Sequence, residues 1–446
     1  MGKSTLSPGL FQAAAQPCIR GRFRTLAAAN ATSVAALHSI QAISRSVATS
    51  FPDSSFLWLL PTMALTGYAS GVAMIAFGQA LHGRSTLECH LGFLVLALTA
   101  ASIAPDIVSL ATASFGVGVG AAVAPRLLAS ATQLVRPAAA GGAIGRIICG
   151  SLVAILCVRL LGDSLASVAG WRSVFLGLAA SVAALVVFGR ATRPAYQAEI
   201  RAVSAHNGLR ALWQSYPLLR RSCAQQATLF AAYNGGWMTA LAALPDHERR
   251  LVVIGGSFAG IIAALVAGPL SDRAGQQNVV KAGAAAMLVA GSLILPAAYN
   301  SDPGTVRVLL LVTGMALVDA GLQIALVANQ TRVQALDPGA RARLAATLTI
   351  SGFLGGAIGA GAASWLWYTS GWRSAVGVVA VGGCLAFACS LFADVTKRPE
   401  RSRSGEAIPI LGTTNHHSIT RRFSFFCRQQ RLQFTSWARL LWRAWV

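Results

Sequence analysis

Gly170-Trp171-Arg172-Ser173 and Gly371-Trp372-Arg373-Ser374 are the same four residues set 201 positions apart, and each opens a long apolar run. Scanning outward from these two points with the window a bilayer requires, about 20 mainly apolar residues, predicts twelve spanning helices. They fall at 25–43, 56–79, 90–105, 108–133, 142–162, 171–189, 222–244, 250–270, 279–299, 305–329, 343–367 and 372–393. The quoted runs are the sixth and the twelfth, so the repeat divides the chain into two halves of six helices. The first window is the weakest, interrupted by Asn30, Thr32, Ser33, His38, Ser39 and Gln41. It is included because an even number of spans returns both termini to one side, as the loop charges require.

Composition excludes a soluble globular protein. Of 446 residues, 55% are hydrophobic and only 11% charged, and the mean hydropathy is +0.59; a soluble domain carries roughly 25% charge. Lys and Arg number 36 against 14 acids, a formal +22, which by itself would suit nucleic acid or an anionic membrane surface. Position decides. With twelve spans, 28 of the 36 basic residues fall on the side of the N-terminal arm, six on the other side, and two, Arg126 and Arg159, within spans. The positive-inside rule then makes both termini cytoplasmic, with no nucleic-acid partner. The expected organisation is an arm at 1–24, a first bundle at 25–189, a linker at 190–221, a second bundle at 222–393 and a basic tail at 394–446. That tail mixes Arg421, Arg422, Phe423, Trp437 and Trp442, suiting an interfacial segment on anionic lipids at the cytoplasmic face, or disorder. Eight cysteines without a Cys-x-x-Cys pair or clustered His argue against structural zinc, and no metal or cofactor is expected. No nucleophile–base pair appears at a span end, so an enzyme is not expected.

After the eighth span comes Gly268-Pro269-Leu270-Ser271-Asp272-Arg273-Ala274-Gly275, a G-x-x-x-D-R-x-G pattern. With the six-plus-six topology and the basic central loop, it resembles the loop signature of the major facilitator superfamily. That resemblance implies an all-α fold of two pseudo-symmetric six-helix bundles that rock about a central cavity. Gly268, Asp272, Arg273 and Gly275 would form a gate: a glycine for the tight turn, a carboxylate and a guanidinium able to pair. The first-half counterpart retains Gly83 and Arg84, but Ala80 stands where the acid belongs and Ala76 where the first glycine belongs. Residues 308–373, especially Asp319-Ala320-Gly321-Leu322-Gln323 and the stretch from Asn329 to Leu344, resemble a bacterial branch labelled arabinose-efflux-like permeases. The branch implies transport without naming a substrate.

Asp319 is the one acid clearly inside a predicted span. An isolated carboxyl in a bilayer loses hydration and favours its neutral form, which suits a proton-coupling residue; a hydrogen-bonded structural carboxyl is the alternative. Offsets of 192 to 201 between the halves carry Arg126 to 318–327, so Arg126 is expected to oppose Asp319 across the cavity and hold a polar or anionic group, or else to snorkel to headgroups. His38 and Gln41 on the first span, Tyr233, Asn234 and Trp237 on the seventh, and Gln323 on the tenth are the remaining candidates for substrate contact, or simple packing. Arg159 and Asp163, spaced i,i+4, read as a local ion pair. The expectation is a monomeric transporter of a small organic solute, working by proton-coupled efflux. An uncoupled facilitator, or a transport-incompetent sensor or scaffold, stays open.

Overall fold

The computed structural model describes residues 8–52, 56–77, 84–127, 140–191, 209–299, 304–337 and 339–392. The expected tail at 394–446, most of the linker and Gly83 lie outside them, and of Arg84 only the backbone is described, as the first residue of a helix. The described chain is helical throughout. The helices are α1 (Pro8–Ala42), α2 (Ser44–Ser50), α3 (Leu59–Phe77), α4 (Arg84–Ser102), α5 (Ile107–Ala121), α6 (Ala140–Ala169), α7 (Trp171–Ala191), α8 (Leu209–Ser215), α9 (Pro217–Ala243), α10 (Asp246–Ala274), α11 (Gln276–Tyr299), α12 (Thr305–Gln334), α13 (Arg341–Ser370) and α14 (Trp372–Phe392).

A helix stands at each of the twelve predicted spans. Among the described residues nine are long and apolar enough to cross a membrane, and α4 adds a shorter apolar stretch, Leu87–Ser102. The other two are α1 and α9, whose polar residues lower their hydropathy and are buried inside the bundle: Ser33, His38 and Gln41 on α1; Gln225, Gln226 and Asn234 on α9. Hydropathy undervalues such helices because polar side chains that face protein need not meet lipid. Helix α1 also runs back to Pro8 through most of the expected arm, and α8 with the first turns of α9 occupies the end of the expected linker.

The repeat is conformational as well as chemical. Gly170 and Gly371 hold φ of 79° and 78°, the left-handed region that glycine enters without a Cβ clash, and each reverses the chain between neighbouring helices. The following arginines do parallel work. Arg172 donates to the Ala104 carbonyl, 2.9 Å, from the end of α4, while Arg373 lies 5.0 Å over the Tyr299 ring at the end of α11. These turns mark one face of the bundle, here the Gly170 face; Gly275 marks the opposite one.

Two large hydrophobic cores result, with two small clusters beside them. One joins α1 to α7 with Met238 and the α13 residues Ala357, Ala360 and Ala363 packed into it; the other joins α9 to α14. Small residues bring backbones together. A Cβ at Gly355 or Gly359 on α13 would lie 2.2 or 2.1 Å from the carbonyl oxygens of Ala227 or Ala231 on α9, an approach only glycine permits. Across the halves, α3 packs on α13, with Tyr68 and Phe353 ring centroids 4.2 Å apart, and α6 packs on α10.

Candidate substrate and proton-coupling site

Helix α9 carries the centre of the site on one turn and a half. Tyr233, Asn234 and Trp237 are all buried, and each reaches a different helix. Trp237 Nε1 donates to Asp319 Oδ2 on α12 at 2.8 Å. Asn234 Oδ1 accepts from Gln41 Nε2 on α1 at 3.1 Å, and its Nδ2 donates to the Phe230 carbonyl at 3.0 Å. Gln41 Oε1 lies 3.2 Å from His38 Nδ1. The structure therefore brings His38, Gln41, Tyr233, Asn234, Trp237 and Asp319 into one polar core spanning both halves. Gln323, one turn beyond Asp319, is buried as well.

The charge facing Asp319 is not the one anticipated. Arg126 stands beyond the end of α5, partly exposed and outside this core. Arg159 of α6 takes the place, 3% exposed beside a 2% exposed Asp319. Its Nη2 donates to the Tyr233 hydroxyl at 3.1 Å, and its guanidinium carbon sits 3.7 Å over the Trp237 ring, a cation–π stack in a dry site. The charge of Arg159 acts on both Asp319 and His38. Nε and Nη1 of Arg159 are buried without a hydrogen-bond partner. Arg159 lies ten residues from the end of α6 at Ala169, about 15 Å along a helix and so near the middle of a bilayer about 30 Å thick.

The expected Arg159–Asp163 pair is not formed. Asp163, one turn nearer the Gly170 face, pairs with Arg249 of α10 at 2.6 Å; Arg249 also meets Asp246 at 2.9 Å, and Asp246 meets Arg45 at 3.0 Å. Sequence spacing made Asp163 the nearest acid to Arg159, but aromatic rings from the other half outcompete it for the guanidinium. Arg45 and Asp163 belong to the first six long helices with their α2 extension, Asp246 and Arg249 to the last six, so this clasp joins the halves on the Gly170 face.

Glycines of α10 make the room. A Cβ at Gly260 would stand 2.9 Å from Asp319 Oδ1, and one at Gly256 would stand 3.0 Å from the Trp237 ring. Together with Arg159, they are the site residues that sequence reasoning passed over. The available signals were the cost of an arginine within an apolar run and the four-residue spacing of two glycines.

On the opposite face, Gly275 takes φ of 82° and ends α10, the tight turn foreseen. Asp272 and Arg273 are both exposed in the last turn, Gly268 is one turn earlier, and no ion pair joins Asp272 to Arg273. The expected pair thus stands as two solvated side chains. Nearby, the buried Arg332 of α12 donates to Ser222 Oγ at 2.8 Å and Asn329 Oδ1 at 2.7 Å, and to Gln277 Oε1.

A bundle of long apolar helices with ionisable groups gathered in its middle and away from lipid is the architecture of a multi-pass membrane transporter. The sequence profile of the Major Facilitator Superfamily matches residues 25–318 and 244–446, and the chain belongs to that family. An uncharacterized transporter of Escherichia coli O157:H7, YgaY, is 26% identical over 358 residues, covering 78% of this chain and 87% of that one. A probable transporter of Streptomyces coelicolor is 28% identical over 250 residues, 54% of this chain and 55% of that one. Among solved structures, the nucleoside transporter NupG superposes with a TM-score of 0.65 over 83% of this chain and 98% of that one. A D-xylose-proton symporter superposes with 0.64 over 84% and 97%. Both are 14% identical to this chain and share its fold.

Proposed function

We propose that the protein is a proton-coupled secondary transporter that exports a small organic solute by alternating access, with Asp319 as the proton-carrying group. The observation that carries this is Asp319 itself: a buried carboxyl near the bilayer middle, held by Trp237 from one side and facing Arg159, in a core built from both halves. Burial of an ionisable group at this depth costs several kcal/mol, and a proton that binds and leaves as the halves rock gives that cost a function.

In this reading the bundles at 25–189 and 222–393 are the moving bodies. The Gly275 face is cytoplasmic, because the basic loops lie there; the Gly170 face is then external, and its clasp describes a state closed to the outside. His38, Gln41, Tyr233, Asn234, Trp237 and Gln323 line the solute's path, with Arg159 in the role first given to Arg126. The protein acts as a monomer in a bacterial inner membrane with both termini in the cytoplasm, its basic tail against anionic lipids. Export follows the resemblance to the arabinose-efflux-like branch.

Proteoliposomes loaded with the pH dye pyranine test the coupling, with organic acids, amines, sugars and nucleosides added in turn. The wild type is expected to move protons when its solute is added, while Asp319→Asn exchanges solute across the membrane without moving protons. Proton movement that survives intact in Asp319→Asn refutes the role of Asp319.

A further inference from the structure

Arg159 is a buried cation with an unfinished set of hydrogen bonds. One Nη donates to Tyr233 and the Trp237 ring covers one face, but Nε and Nη1 have no acceptor. The two donors point to opposite flanks of the planar guanidinium, Nε–H alongside Nη2 and Nη1 on the far side, so an anionic oxygen can accept a single charge-assisted hydrogen bond from either. Asp163, the acid closest in sequence, is engaged by Arg249. The titratable groups facing Asp319 are Arg159 from α6 and Tyr233 from α9, with His38 from α1 standing at Arg159. The packed helices α10 and α11 present glycines, Gly256, Gly260 and Gly283, along with Met287.

We propose that the substrate is an organic monoanion whose carboxylate, or equivalent group, accepts a hydrogen bond from an open donor of Arg159, and that it is carried together with one proton on Asp319. This rests on the transporter reading of the same site. Charge balance gives the coupling. Empty, the site holds one guanidinium and one carboxylate and is neutral. Loaded, it holds the guanidinium, the bound anion and a protonated Asp319, and is neutral again. Anion without proton leaves a net negative charge in a dry core, and proton without anion leaves a net positive one; both are disfavoured there. The halves therefore rock only with both passengers or with neither. A dianion or a cation breaks the balance, which selects against each. Since anion and proton travel together, an acid that accumulates inside leaves with its proton, and export needs no exchange against incoming protons.

The test uses straight-chain monocarboxylates from acetate to octanoate, lactate and benzoate, together with their amides and the matched amines, titrated onto purified full-length protein by thermal stabilisation. At least one acid is expected to bind at pH 6 and to weaken about tenfold or more by pH 8, the linkage of one proton to one ligand, while amides and amines do nothing. Arg159→Gln abolishes the effect and Arg159→Lys keeps part of it. Asp319→Asn, which mimics the protonated carboxyl, binds the acid with no pH dependence. That gain carries the test if Arg159→Gln fails to fold. Binding of amines or amides in preference to acids, acid binding that ignores pH in the wild type, binding unchanged in Arg159→Gln, or silence across all three series overturns the proposal. Proteoliposomes separate the two readings. Proton movement driven by an amine or a neutral solute keeps the transporter and discards the anion; acid binding without any proton movement keeps the anion site and discards the transporter.

Discussion

Trp237 shows how much of the centre depends on single atoms. Its Nε1–H is the donor that holds Asp319 Oδ2, and its ring is the floor under Arg159. Trp237→Phe keeps a ring but removes the donor, and a hydrogen bond to a charged group contributes about 1.5–3 kcal/mol. The variant is expected to melt earlier in detergent by a corresponding amount, whereas Asp319→Asn combined with Trp237→Phe loses less than the sum of the two, because they share one bond. Strict additivity in that cycle, read by thermal denaturation, contradicts the coupling. At this scale the sequence was legible wherever a polar residue interrupts an apolar helix. His38, Gln41, Tyr233, Asn234, Trp237 and Asp319 stand out for that reason, and the fold brings them together. Arg159 did not stand out, since an acid four residues on offered a local partner. Only the packing of α6 on the other half reveals that Arg159 and Asp163 face separate tasks.

At the scale of helices, the repeated Gly-Trp-Arg-Ser turn gives a paired experiment. Gly170 and Gly371 share a φ within one degree, and nothing lies within 4 Å of a Cβ added at either. The penalty for alanine is then backbone strain alone: Gly371, at φ 78° and ψ −174°, lies in a region kept almost wholly by glycine, and strain there is on the order of 1–3 kcal/mol. Gly170→Ala and Gly371→Ala are expected to destabilise equally in thermal melts, and a large difference between them would show that the two turns are not conformational equals. Helix positions were readable from hydropathy because a bilayer demands long apolar runs; even the polar first span is a helix, α1. Helix ends were less readable. The second through twelfth spans could be bounded only by charge and glycine, and the start of α1 at Pro8 was hidden by Pro17, a residue that ordinarily breaks or kinks a helix interior.

For the whole molecule, the clasp on the Gly170 face bears on the balance between conformations. Its members differ in burial: Arg249 and Asp163 side chains are 10% and 23% exposed, while Asp246 is 68% exposed. The first pair holds most of the interaction, and the solvated contacts of Asp246 contribute little. Arg249→Ala removes the buried link to Asp163 and leaves only the solvated Arg45–Asp246 pair between the halves. In a cysteine-free background carrying Ser364→Cys, which sits beside Met238 and Thr239 in a cleft between the halves, labelling by a membrane-impermeant maleimide is expected to quicken when Arg249 is lost. An unchanged rate would mean that the clasp does not hold this face shut. The two-half architecture was legible from one four-residue repeat and the distribution of arginines. The clasp was not, because the partners it joins across the halves lie 86 and 201 residues apart along the chain.

The short stretch of α9 from Tyr233 to Trp237 has a further consequence for pharmacology. Gln41 and Arg159 reach it from one half, and Asp319 reaches it from within the other, so the protein fastens itself with its own side chains. A solute that passes must replace those fastenings as it binds. A compound that settles among them and leaves them intact would hold the protein still, so tight binding and rapid passage will belong to different molecules.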